Sequence, residues 1–333
     1  MEKMGLTGRL KRKISVAIFL LVVVACGEEA SKTKKTIKSV EREKVQRPNF
    51  SADSAYTFIK NQVDFGPRVP NTKEHVAAGN YLVRELKRFD FEVIEQQTQV
   101  EAFDKTRLNI KNIIGAYKPE LNNRVLLFAH WDTRPNADQD DERKDEPILG
   151  ANDGGSGVGI LLEIARQVQN KRPNVGVDII FFDAEDYVGE NGSTEDYCLG
   201  SKYWSNNLHK IGYSANFGIL LDMVGAKDAM FTKEYHSMNY ASAYMQHVWN
   251  IAADLGHKNH FNSRMTKHVG IDDHIAVNEI AKIPSIDIIQ YDSETRGFSP
   301  HWHTHDDTME IIDKETLQAV GETVLATVLM EAN

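Results

Sequence analysis

Four short apolar runs constrain this fold more than any other feature of the chain. They occupy residues 125–129, 177–182, 217–221 and 283–289. Short, nearly continuous apolar runs mark central strands buried on both faces of a sheet. Helical patterns lie between or after them, at 157–169, 237–255 and 313–330. Upstream, Ser51 or Asp53 can cap a helix through Phe58 and Val63, and Phe65-Gly66-Pro67-Arg68 punctuates a turn. Residues 72–89 read as a second helix, with Val76, Ala77, Tyr81, Leu82 and Leu86 at helical spacing. Residues 91–100 and 108–116 read as strands. Alternating strands and helices predict one α/β domain over 49–333, with a central mixed, mostly parallel twisted sheet carrying helices on both faces.

The segment before residue 49 reads differently. Lys11, Arg12 and Lys13 precede an apolar stretch at 14–25, which is too short to span a bilayer and reads as a signal peptide over 1–25. The run Val23-Val24-Ala25-Cys26 resembles a bacterial lipobox, which implies cleavage before Cys26 and its acylation. Several acyl chains on Cys26 would anchor the protein stably to a membrane. Residues 26–48 are rich in Lys, Glu, Ser and Thr and are expected to form a flexible tether. The expectation is an exported lipoprotein on the periplasmic side of a Gram-negative envelope. Gly27 is not an obvious inner-membrane retention residue, so the outer membrane is the expected address. With Cys26 lipidated, Cys198 has no partner for a disulfide and reads as a buried structural thiol. A net charge of −9 argues against nucleic acid as a partner. No coiled-coil seam is present, so a monomer is expected.

The chemistry gathers where the apolar runs end. In open α/β sheets, sites form beyond the carboxyl ends of the parallel strands. There stand His130-Trp131-Asp132, then Asn152-Asp153-Gly154-Gly155, Asp183-Ala184-Glu185-Asp186, Asp222, Asp272-Asp273-His274, and the 301–307 stretch with His301, His303 and His305. Each has an unremarkable alternative: Asp153 as a helix cap, Asp183 and Asp186 as turn residues, the histidines as an exposed loop, Asp272 and Asp273 as caps of the segment after them. Together they match zinc, which takes carboxylate oxygen and imidazole nitrogen and leaves one position open in catalytic sites. Carboxylates so concentrated without a cation would repel one another and protonate. The stretch 150–157 lacks the Gly-Lys-Ser/Thr ending of a phosphate loop, and no Gly-x-Ser-x-Gly elbow is present.

At these residues the chain resembles the zinc aminopeptidase and glutaminyl cyclase clan. His130-x-Asp132, Asp153-Gly154-Gly155-Ser156-Gly157, 181–186, 221–225, Asp272-Asp273-His274 and His303-Thr304 match in order. Within that clan it is similar to the glutaminyl cyclases at Leu221-Asp222-Met223-Val224-Gly225, at the double acid Asp272-Asp273, and at Trp302 directly before His303. The resemblance implies one zinc per chain, held by Asp153, Asp186 and His303. It implies Glu185 as general acid and base, Asp222 and Asp272 as an acidic network beside it, and Trp302 and Phe298 as the wall of the substrate pocket. It implies peptides or proteins with N-terminal glutamine as substrates. Asp186 is shorter than the Glu of animal cyclases, Asp287 stands where they carry a histidine, and 187–197 offers no second pocket tryptophan. The main alternative is a two-zinc aminopeptidase, for which His130 and Asp222 supply extra ligands. A non-catalytic lipoprotein is a further alternative, against which the intact Glu185 argues.

Overall fold

Alternate residues of the run at 125–129 point to opposite faces of the sheet, and both faces are covered. Val125, Leu127 and Ala129 pack into one hydrophobic core, Leu126 and Phe128 into another, and all five are fully buried. The computed structural model describes residues 45–189, 192–266, 270–292 and 297–332. The signal peptide of 1–25, Cys26 and the tether up to residue 44 lie outside the described residues.

In chain order the elements begin with α1 (Ala52–Val63), α2 (Lys73–Arg88), β1 (Glu92–Glu101), β2 (Arg107–Tyr117), β3 (Arg124–His130), α3 (Gly155–Lys171) and β4 (Gly176–Phe182). There follow α4 (Leu199–Asn206), β5 (Phe217–Asp222), β6 (Phe231–Lys233), α5 (Tyr235–Asp254), β7 (Phe261–Met265), α6 (Asp273–Glu279), β8 (Ser285–Ile289), β9 (Tyr291–Asp292), β10 (Gly297–Phe298) and α7 (Lys314–Met330). Ser51, rather than Asp53, caps α1 by accepting the N–H of Ser54. The last strand of the main sheet starts after Pro284, which has no N–H to give the ladder, although its carbonyl accepts from Gly218 at 2.9 Å.

Among the described residues, six strands form one sheet in the order β1-β2-β4-β3-β5-β8. The pairs β1/β2 and β2/β4 are antiparallel, and β4, β3, β5 and β8 are parallel. The expected mixed, mostly parallel sheet is therefore present. The face holding Leu127, Ile179, Phe181, Ile219 and Leu221 packs with apolar residues of α1, α2, α3, α5 and α7. The opposite face, with Leu126, Phe128, Ile180, Phe182 and Leu220, packs with Trp204 of α4 and Val277 of α6. Each fully buried side chain of this size is worth about 1.5–3 kcal/mol of burial.

The topology places the site. From β3 the chain crosses through α3 to β4 on one side, then returns past β3 to β5 on the other. Strand order reverses at β3, and such a reversal opens a crevice beyond the carboxyl ends of the neighbouring strands.

One expected boundary moves. The last residues of the anticipated tether lie on the domain: Val45 packs with Ile251, Leu255 and Ala326, and Arg47 bonds Glu322 and the Leu255 carbonyl. A polar composition concealed this, because one apolar residue and one long cation suffice to dock four residues. Among the described residues, no helix is long and apolar enough to cross a membrane.

Candidate metal centre

His130 is the last residue of β3 and Asp222 the last of β5, so the sheet itself sets their spacing. Glu185 and Asp186 follow β4, and Asp153 precedes α3. The capping alternative for Asp153 fails. The N-cap of α3 is Gly154, with no side-chain cap, and the Asp153 carboxylate turns into the crevice instead. Gly154 is required there: a Cβ would collide with the His130 carbonyl and imidazole. The N–H groups of Asn152 and Asp153 donate to Asp307, at 2.7 and 3.0 Å, which fixes the segment carrying Asp153.

Two donor sets share Asp153. In the first, Asp153 Oδ2 lies 3.8 Å and Asp186 Oδ1 3.6 Å from His303 Nε2. In the second, His130 Nε2 lies 3.0 Å from Asp153 Oδ1 and 3.2 Å from Asp222 Oδ1. All five residues are buried. The residues expected from sequence as metal ligands, Asp153, Asp186 and His303, are thus brought together, and His130 and Asp222 form a second set beside them. The donors fit a divalent cation in chemistry as well as spacing. Asp186 Oδ2 is buried with no hydrogen-bond partner, and oxygen with imidazole nitrogen is a zinc-type donor set.

Glu185 and Asp272 also converge. Their carboxylates and the Cys198 thiol lie within 4.8 Å of one another, and the thiol donates to Glu185 Oε1 at 3.4 Å. Burial, then the charge of Asp186, push Glu185 well above the usual carboxylate range. Burial and Asp222 do the same to Asp272. Asp186 is pushed up to about 6 by burial, against the pull of Arg134 and His303. Asp153 goes the other way: burial would raise it, but the bond and charge of His130 together with His303 hold it low. A bound cation would favour the charged form of every carboxylate here. Asp272 also caps α6 through the N–H of Asp273, so its structural and functional readings coexist. Asp287 is fully buried with neither carboxylate oxygen bonded, and clusters with Asp272 and His274.

The expected pocket wall is a stack of rings. Tyr291 meets Phe298 at 4.7 Å between centroids, Phe298 stacks on Trp302 at 4.4 Å, and Trp302 on His303 at 3.7 Å. The wall therefore abuts a candidate metal ligand directly. Cys198 is buried, as expected of a structural thiol, but it touches the catalytic candidate. Arg134 and Asp138 were not singled out from the sequence, and Asp132, quoted there within the His130-x-Asp132 match, and Asp307 were given no role. Asp132 accepts the N–H groups of Glu185 and Asp186. Arg134 bonds Asp186 and Asp138. They sit in irregular loops where no periodicity reports a side chain's direction; the one available signal was their closeness in sequence to His130 and His303.

Comparison with known proteins agrees with this architecture. A family model described as Peptidase family M28 matches residues 112–328. A crystal structure of Bacteroides thetaiotaomicron glutaminyl cyclase bound to N-acetylhistamine is 52% identical, with a TM-score of 0.82 over 85% of this chain and 99% of that one. A crystal structure of a Zn-dependent exopeptidase from Parabacteroides distasonis is 50% identical, with a TM-score of 0.83 over 85% of this chain and 99% of that one. Aminopeptidase YwaD of Bacillus subtilis is 29% identical over 297 residues, covering 86% of this chain, which spans 59% of that protein's length. The chain belongs to peptidase family M28.

Proposed function

We propose that the chain is a zinc-dependent glutaminyl-peptide cyclotransferase, converting N-terminal glutamine of peptides and proteins to pyroglutamate with release of ammonia. The observation that carries this is the stack of Phe298 on Trp302 on His303, which sets an aromatic wall against the ring whose Nε2 lies 3.6 Å from Asp186. The 52% identity to a glutaminyl cyclase over nearly its whole length supports the same reading. Asp153, Asp186 and His303 would hold one zinc per chain. When bound there, the ion supplies Lewis-acid polarisation of a carbonyl oxygen.

The chain's own residues supply the rest. Trp302 and Phe298 bind the glutamine side chain and exclude water, the competing nucleophile. Holding the α-amine against its own side-chain carbonyl makes the attack intramolecular. The new bond joins the amine nitrogen to the δ-carbon, and the bond from that carbon to the side-chain nitrogen breaks. Glu185 takes a proton from the amine and delivers it to the departing ammonia. Asp222 and Asp272 complete the acidic network around Glu185.

One observation favours a second reading. Asp153 bridges two donor sets, and His130 with Asp222 could hold a second zinc. With two ions the same Glu185 would activate water, and the enzyme would be an aminopeptidase. Reconstituting the metal-free protein with measured equivalents of zinc separates the two. Ammonia release from a glutaminyl peptide, restored by the first equivalent, supports the cyclase; release of free amino acid, restored only by the second, supports the peptidase.

The context follows from the sequence. The protein is proposed to be a monomeric lipoprotein, exported by the 1–25 signal peptide and anchored through acylated Cys26. The proposed address is the periplasmic side of the outer membrane. Palmitate labelling that is lost in Cys26→Ala tests the anchor, and fractionation of the envelope tests the address.

A further inference from the structure

The loop after β3 is laced to the turn that carries His303. Arg134, four residues past the end of β3, donates from Nη1 to Asp186 Oδ1 and from Nε to Asp138 Oδ1, both at 2.6 Å. The same Asp138 oxygen lies 2.9 Å from His303 Nδ1, the ring nitrogen facing away from the donor set, though outside full hydrogen-bond alignment. Gln139 donates its N–H to the His303 carbonyl at 3.2 Å. Asp140 Oδ2 meets both the N–H and Nδ1 of His305, at 3.0 and 2.9 Å. His303 itself has a φ of 57°, a left-handed conformation that a histidine holds only when its surroundings impose it.

We propose that Arg134 and Asp138 clamp the metal centre from outside, holding Asp186 and His303 in their ligating positions and thereby setting the affinity for the ion. The chain of contacts runs Asp186, Arg134, Asp138, His303, so one guanidinium ties together two of the three candidate ligands of one donor set. Arginine suits the position. Its planar fork addresses two carboxylates at once and its charge is permanent, so it offsets the repulsion between Asp138 and Asp186. Tyr197 covers its face, with the guanidinium carbon 5.7 Å from the ring centroid, and Arg134 is only 2% exposed. Arg134 donates one hydrogen bond to Asp186 Oδ1, and Oδ2 is buried with no partner, so the carboxylate keeps acceptor capacity for the ion. Asp138 stands in the place of the carboxylate that commonly orients a ligating histidine. Both are positioning residues, since each acts on the ion through a ligand that it contacts.

The inference rests on Asp153, Asp186 and His303 being metal ligands, and is independent of which reaction the site performs. The test uses the full chain, stripped of metal and titrated with zinc against a chromophoric chelator of known affinity. The parent protein is measured first; if it binds no zinc, the ligand assignment falls and the clamp with it. If it binds, Arg134→Met and Asp138→Asn are each expected to weaken zinc by about 10–100-fold, the usual cost of losing an outer-shell partner. Arg134→Lys, which keeps the charge but reaches one carboxylate at a time, is expected to fall between. The double variant should lose little more than the weaker-binding single, because both break one chain of contacts. A merely structural role would lower the melting temperature of the metal-free protein and leave zinc affinity where it was. That result in Asp138→Asn, the variant that keeps shape and volume, overturns the proposal even if Arg134→Met fails to fold.

Discussion

Asp132 accepts the backbone N–H of Glu185 at 3.0 Å, and its other oxygen accepts that of Asp186 at 3.2 Å. One carboxylate from the loop after β3 therefore sets the turn after β4, where Ala184 takes a left-handed φ of 51°. Asp132→Ala would leave two buried N–H groups unpaired, at about 1–3 kcal/mol each. The variant is expected to lose stability in urea unfolding and to lose turnover, because the acid pair is no longer held. Parent-like turnover in a folded Asp132→Ala would show that the turn holds itself.

The centre of the fold was legible because β3, β4, β5 and β8 are buried on both faces. The runs at 125–129, 177–182 and 217–221 became β3, β4 and β5 nearly to the residue, since two-sided burial leaves no polar position to blur them. The helices at 157–169 and 313–330 were found by their periodicity. What was missed is short: α4, the parallel β6/β7 pair and the β9/β10 hairpin, each too brief for a period to register. The donors were legible for a related reason, because a strand's end fixes where its last side chain stands, as at His130 and Asp222. Arg134 and Asp138 were not, since their directions come from loop contacts made at a distance in sequence.

Glu185→Gln removes the proposed proton carrier and keeps the side chain's size. Turnover is expected to fall by about 10²–10⁴-fold. Zinc binding measured by chelator competition is expected to stay at the parent level, because Glu185 belongs to neither donor set. Loss of zinc together with activity would place Glu185 among the ligands instead.

Trp302→Ala removes the ring stacked between Phe298 and His303. An aromatic contact of this kind is worth about 0.5–1.5 kcal/mol beyond the area it buries. The expected result is a KM for a glutaminyl peptide raised about tenfold, with kcat changed less, the signature of lost ground-state binding. An unchanged KM would remove Trp302 from the pocket wall.

Glu234 supplies a pH test at a residue outside both donor sets. It caps α5, accepting the N–H groups of His236 and Ser237 at 2.6 Å each, and lies 3.3 Å from His274. Burial would raise its pKa, but His274 and the two N–H bonds hold it at about 2, below the ordinary 4.5. The carboxylate therefore stabilises the fold above pH 4.5, and that contribution, about 3 kcal/mol, is lost as pH falls toward 2. Urea unfolding of the metal-free protein should show Glu234→Gln less stable than the parent near neutrality, with the gap closing on acidification. A gap independent of pH would mean that the cap acts by shape and not by charge.

The central claim is cyclisation, and the mass of the product tests it most directly. The purified protein, incubated with a short peptide beginning in glutamine, is expected to yield the same peptide lighter by one ammonia with every residue retained. The conversion should stop on chelation and in Glu185→Gln. A peptide shortened by its N-terminal residue, with free glutamine in solution, would contradict the account and make the enzyme an aminopeptidase.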